Sequence, residues 1–206
     1  MFQQLSRSIA SLSNENIHPE RTETLQSLID YIQSKVIINE TVRLNFICTH
    51  NSRRSHLSQV WAQVMAFHFN IKNVLCFSGG TEATALFPKV AATLENQGFK
   101  IQKLSQDNNP VYAIKFSENE PAIIGFSKKF DNAFNPQNEF LAILTCSQAD
   151  EGCPFIAGAE KRIPVRYDDP KIFDGTILAT EKYLERSNQI AIEMHYVFSQ
   201  IKTNNN

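Results

Sequence analysis

The sequence has almost no excess of one charge. Its 20 basic and 21 acidic residues leave a formal net charge of −1, so no global positive field draws in nucleic acid or an anionic membrane, and any anion site must be local. Long apolar runs are also missing. No segment approaches the length that spans a bilayer, and the N-terminal MFQQLSRSIASLSNENIHPE lacks a long hydrophobic core followed by a cleavage site. A soluble cytoplasmic chain with no membrane or nucleic-acid partner is expected. Internal repeats are absent. Cysteine is sparse: Cys48, Cys76, Cys146 and Cys153 are expected, in that compartment, as thiols, metal ligands or catalysts rather than permanent disulfides.

What is present suits one core domain with additions. Residues 1–40 read as an added helical segment, in which Pro19 suits a first helical turn and Leu25, Leu28, Ile29 and Ile32 recur at helical spacing. Residues 41–206 form the main domain. VRLNFI (42–47) is a strand that changes abruptly at Cys48 into THNSRRS, and the following HLSQVWAQVMAFHF carries an apolar helical stripe of Leu57, Val60, Trp61, Val64 and Met65. A second strand at 74–77, a helix FPKVAATLENQ stopped by Gly98, and a third strand FKIQKL follow. FLAILT (140–145) is a continuous apolar run suited to a sheet buried on both faces. A long helix spans 176–201.

Strands alternating with helices predict an α/β three-layer sandwich with a central, mainly parallel sheet. Ligands of such sheets bind beyond the carboxyl ends of the strands, where Cys48 and Cys146 both lie. VYAIKF and AIIGFSKKF flank the turn-like SENEP and predict an inserted hairpin within 110–136. Enlargement of the sheet is the bland role for it, and a lid or dimer contact the alternative.

Cys48-Thr49-His50-Asn51-Ser52-Arg53-Arg54-Ser55 places five residues between a thiol and a guanidinium. Such a loop can curl around one tetrahedral anion. Its N–H groups and the N-terminus of the next helix supply donors, and Arg54 can hold two oxygens. The same field favours a Cys48 thiolate. Arg53 is expected as an exposed charge at the rim and His56 as a solvent-facing histidine, while His68 at the far end of that helix carries less information. Cys76, inside an apolar strand, is expected in the core.

FICTHNSRRS, SGGTEA, TCSQADEGCP and YDDP resemble the strand and phosphate loop, the segment after the second strand, the redox segment and the general-acid loop of the low-molecular-weight protein tyrosine phosphatase superfamily. The redox segment is similar to that of thioredoxin-coupled arsenate reductases. The resemblance covers most of the chain from Val42 onward, leaving residues 1–40 and the hairpin outside it. It implies that Cys48 is the nucleophile, that Arg54 binds the oxyanion, that Asn51 shapes the loop and that Ser55 hydrogen-bonds the thiolate. Glycine is common in the family where His50 stands, and cysteine where Arg53 stands. Glycine serves unusual backbone angles, so His50 has to accept them or the loop has to differ.

A departing oxygen needs a proton. Asp169, before Pro170, is the candidate acid and matches the family's position, with Asp168 as the fallback; proline biases the preceding residue toward an extended, aimable conformation. A phosphatase needs only Cys48 among the thiols. In the reductase mechanism that the resemblance implies, Cys146 attacks Cys48 to release arsenite, Cys153 resolves that bond, and thioredoxin reduces the Cys146–Cys153 disulfide. A zinc role is disfavoured because the pair lacks a second cysteine or histidine pair. Three functions follow. They are arsenate reduction with thioredoxin and no cofactor, phosphotyrosine hydrolysis on the same loop, and oxyanion sensing without turnover.

Overall fold

A computed structural model describes residues 1–12, 17–152 and 155–203; Cys153 lies outside them. Four strands, β1 (Val42–Cys48), β2 (Val74–Gly80), β6 (Phe140–Leu144) and β7 (Ala159–Pro164), form a sheet in the order β2-β1-β6-β7. All neighbours run parallel, with Leu44 of β1 opposite Cys76 of β2 and Leu141 of β6. β6 is buried throughout, as a central parallel strand covered on both faces must be.

One face carries the larger core. Leu44, Phe46, Leu141 and Ile143 pack there with α2 (Pro19–Ile37), α3 (Arg54–His68) and α6 (Ala179–Ser199). Pro19 opens α2, and its apolar stripe Leu25, Leu28, Ile29 and Ile32 is buried. A preceding helix, α1 (Gln3–Ala10), adds Leu5 and Ile9 to the same core. Gly98, in the left-handed region at φ 103°, follows α4 (Pro88–Asn96), and a Cβ there would lie 2.4 Å from the Leu5 nitrogen. Glycine is therefore required for the close approach of α1.

The other face is covered more thinly. Ile47, Phe140, Ala142 and Leu144 pack with Cys48, Cys146, Ala149 of the short helix α5 (Ser147–Gly152), and Ile156. The expected three-layer order follows. No helix among the described residues is long and apolar enough to cross a membrane.

The third predicted strand, β3 (Lys100–Lys103), leaves the central sheet. It pairs with the hairpin strands β4 (Tyr112–Lys115) and β5 (Ile123–Gly125) in a separate antiparallel sheet, with Ile101 opposite Ile114 and Ile114 opposite Ile123. Lys100, Gln102 and Lys103 are exposed, and a strand buried on both faces would have to bury such groups. After β5 the chain turns back to the end of β2. Gly80 donates to the Lys128 carbonyl at 2.9 Å and accepts from Phe130 N at 2.9 Å. The insertion thus lies along the end of β2, and Ser127 and Lys128 also bond to His50 and Asn51 in the loop after β1.

Candidate active site

β1 delivers Cys48 to the carboxyl edge of the sheet, residues 49–53 form a tight loop, and Arg54 opens α3. Within this loop only Asn51 is left-handed, at φ 44°, a conformation asparagine tolerates better than most residues. His50 is not. His50 thus sits in the loop without the unusual backbone angles that glycine serves. Asn51 also ties its surroundings: Nδ2 donates to Ser55 Oγ at 2.9 Å and Oδ1 accepts from Lys128 N at 2.9 Å. Ser55 Oγ lies 3.1 Å from Cys48 Sγ. Because that oxygen already accepts from Asn51, its own proton is free to point at the sulfur.

The loop is buttressed from outside. The His50 carbonyl accepts from Ser127 Oγ at 2.8 Å and Thr84 Oγ1 at 3.1 Å, and Phe87 N donates to the Ser52 carbonyl at 3.0 Å. A Cβ on Gly80 would lie 2.7 Å from both Asn51 N and Thr49 O, so no side chain fits beneath the loop. The N–H groups of Thr49, His50, Ser52 and Arg53 find no carbonyl partner among the described residues. Those donors remain for an anion.

Arg54 is buried. Nη1 donates to the Tyr167 carbonyl at 3.0 Å, Nη2 donates to Asp169 Oδ2 at 2.6 Å, and Nε has no partner among the described residues. Asp169 is extended before Pro170, at φ −83° and ψ 119°, and its Oδ1 caps the following 3₁₀ turn by accepting from Lys171 N at 3.0 Å. Asp168 points away, 93 % exposed and 3.3 Å from Arg186. Of the two carboxylates, Asp169 therefore faces the loop.

Two expectations are corrected. Arg53 is not an exposed rim charge. Its Nε donates to Tyr183 Oη at 2.5 Å, its Nη2 donates to Asp174 Oδ2 at 2.6 Å, and its guanidinium lies 4.1 Å from the centre of the Phe87 ring. A guanidinium can be buried where carboxylate, hydroxyl and aromatic face meet it together. His56 is also buried, with Nδ1 3.2 Å from Ser78 Oγ. Burial, reinforced by nearby Lys128, pushes its pKa down to about 3. Cys76 is in the core, and burial pushes its thiol pKa up. Lys128 was not anticipated: it is buried among Phe126 and Phe134, and burial pushes its pKa down to about 8. No local pattern in SKKF marks one of its lysines as internal.

Cys146 follows β6, the strand beside β1. It is buried in the same cluster as Cys48. Thr49 Oγ1 is 3.5 Å from Cys146 Sγ and donates to Gln148 Oε1 at 3.1 Å, while Ala149 N donates to the sulfur at 3.4 Å. Cys48, Cys76 and Cys146 are free thiols. The segment after Cys146, read as a loop, begins as the short α5.

This architecture is the fold shared by low-molecular-weight phosphatases and arsenate reductases. No protein-family profile matches the chain. Arsenate reductase from Staphylococcus aureus (strain Newman) is 28% identical over 126 residues, 61% of this chain and 76% of that protein. An arsenate reductase in its oxidized state superposes with a TM-score of 0.52 at 18% identity, over 78% of this chain and 98% of its own. A low-molecular-weight protein tyrosine phosphatase from T. tengcongensis does so with a TM-score of 0.53 at 13% identity, over 78% and 100%.

Proposed function

We propose that the chain is a cysteine-dependent oxyanion enzyme, and specifically an arsenate reductase. The observation that carries this reading is the pairing of a Cys48–Arg54 anion loop with a second buried thiol, Cys146, at the end of the adjacent strand and in contact with Thr49. The identity to arsenate reductase points the same way.

In this mechanism the Cys48 thiolate, supported by Ser55, attacks arsenic(V) held by the loop N–H groups and Arg54. The S–As bond forms, and the departing oxygen leaves as water with a proton from Asp169. Arg54 and Asp169 are bonded to each other, so the incoming oxyanion takes over part of the guanidinium from the carboxylate. Cys146 thiolate then attacks Cys48 Sγ. The S–S bond forms as S–As breaks, and the electron pair stays on arsenic, which leaves as arsenite. Cys153 thiolate attacks Cys146 and frees Cys48. Thioredoxin then returns two electrons and two protons to the Cys146–Cys153 disulfide.

Hydrolysis of a phosphotyrosine through a Cys48 phosphocysteine is the second reading, favoured by the phosphatase among the fold neighbours. A paired assay divides them: arsenate-dependent NADPH oxidation coupled through thioredoxin and its reductase, against hydrolysis of an aryl phosphate. Cys48→Ser abolishes both, whereas Cys146→Ser and Cys153→Ser abolish reduction alone. Arsenate turnover that survives both of the latter changes overturns the relay. Hydrolysis without reduction in the unmodified chain selects the phosphatase.

A further inference from the structure

Glu193 of α6 is a buried carboxylate, its side chain 4 % exposed, and donors converge on both its oxygens. Arg21 of α2 donates from Nε to Oε1 and from Nη2 to Oε2, each at 2.8 Å. Gln189 Nε2 donates to Oε1 at 3.1 Å, and the Tyr167 hydroxyl donates to Oε2 at 2.7 Å. The Arg21 guanidinium also lies 4.7 Å from the centre of the Tyr167 ring. Burying an ion pair gains little net stability over apolar packing, so this clasp asks for another role. Tyr167 is the residue it holds.

The backbone of Tyr167 is bonded on both sides. Its N–H donates to the Thr145 carbonyl at 3.0 Å, next to Cys146, and its carbonyl accepts from Arg54 Nη1 at 3.0 Å. Asp169, the other acceptor on Arg54, lies two residues further along the same segment. The direction of the guanidinium therefore depends on where residues 167–169 sit. When an oxyanion displaces Asp169 from Nη2, the Tyr167 carbonyl is the fixed point that remains.

We infer that Arg21 and Glu193 are positioning residues for Arg54: the clasp between α2 and α6 anchors Tyr167, whose carbonyl aims the guanidinium at the anion. The helix before the first strand thereby takes part in the active site without touching substrate. This rests on the assignment of Arg54 as the oxyanion ligand.

The test is titration of inorganic phosphate into the isotope-labelled full chain, with the dissociation constant read from the loop amide shifts. Small displacements of a binding group cost binding or rate steeply, and Tyr167→Phe and Arg21→Met are each expected to weaken phosphate by about 5- to 10-fold, with Arg21→Lys in between. Ile32→Ala, which removes a buried α2 side chain away from the clasp, lowers the melting temperature but leaves the phosphate constant within about twofold, because distant sites act independently. Unchanged affinity in Tyr167→Phe and Arg21→Met overturns the positioning role while leaving Arg54 as ligand. Equal weakening by Ile32→Ala reduces the effect to general stability and also overturns it. If phosphate moves no loop amide in the unmodified chain, the Arg54 assignment itself fails and the inference with it.

Discussion

His56 occupies the first turn of α3, a place where a histidine beside a ligand loop reads as exposed. It is buried because α3 is packed against β1 and β2 and against α6, leaving no outer side at that turn. Burial pushes its pKa down to about 3, far below the ordinary histidine value of about 6.5. Below pH 6.5 the unfolded chain takes up a proton that the folded chain refuses. Stability from this neutral histidine is complete above that pH and is lost progressively as pH falls toward 3. At pH 5 the loss amounts to about 2 kcal/mol. Urea midpoints measured from pH 7 down to pH 5 are expected to fall, and His56→Asn is expected to flatten that dependence. An equally steep loss in the variant would place the acid sensitivity elsewhere.

At the scale of elements, α5 is too short to be stable alone. It is held through Asp150, which accepts from Arg162 of β7 and from Arg166, the latter through Nε at 2.9 Å. Asp150→Asn removes that charge and leaves two arginines facing each other. Cys146, which accepts from Ala149 N of the same helix, should then react severalfold faster with iodoacetamide, read by mass spectrometry at that cysteine. Unchanged reactivity would show that β6 alone fixes the thiol. None of this was visible in TCSQADEGCP, where a six-residue helix ending in glycine leaves no periodic trace. β1, β6, α3 and α6 were readable because their apolar runs are long, and the loop from Cys48 to Ser55 because its donors are contiguous. β7 was missed because, as an outer strand, it fully buries only Ile163. Arg53 with Asp174, Arg21 with Glu193, and Asn51 with Lys128 join common residue types far apart in sequence, and no local period announces such meetings.

Across the whole molecule, the segment before residue 41 is continuous with the main core. Leu5, Ile9, Leu25, Leu28, Ile29 and Ile32 belong to one buried cluster with Leu44 and Phe46 of the sheet and Met194 and Phe198 of α6. Full burial of one such aliphatic side chain is worth about 1.5–3 kcal/mol, so these six together contribute roughly 9–18 kcal/mol, comparable with the ~5–15 kcal/mol by which a domain is stable at all. Removing residues 1–40 also strips Arg21 from the buried Glu193 and leaves that carboxylate short of its cation. The chain 41–206 is therefore expected not to fold as a minimal catalytic domain. Trp61, fully buried with Nε1 donating to Ser187 Oγ at 2.9 Å, reports on the core. Its fluorescence in the truncated chain should resemble that of a solvent-exposed indole, with no cooperative thermal transition. A cooperative melt with a blue-shifted Trp61 emission would instead show that the strands, α3 and α6 make a sufficient core, and that α1 and α2 only dress it.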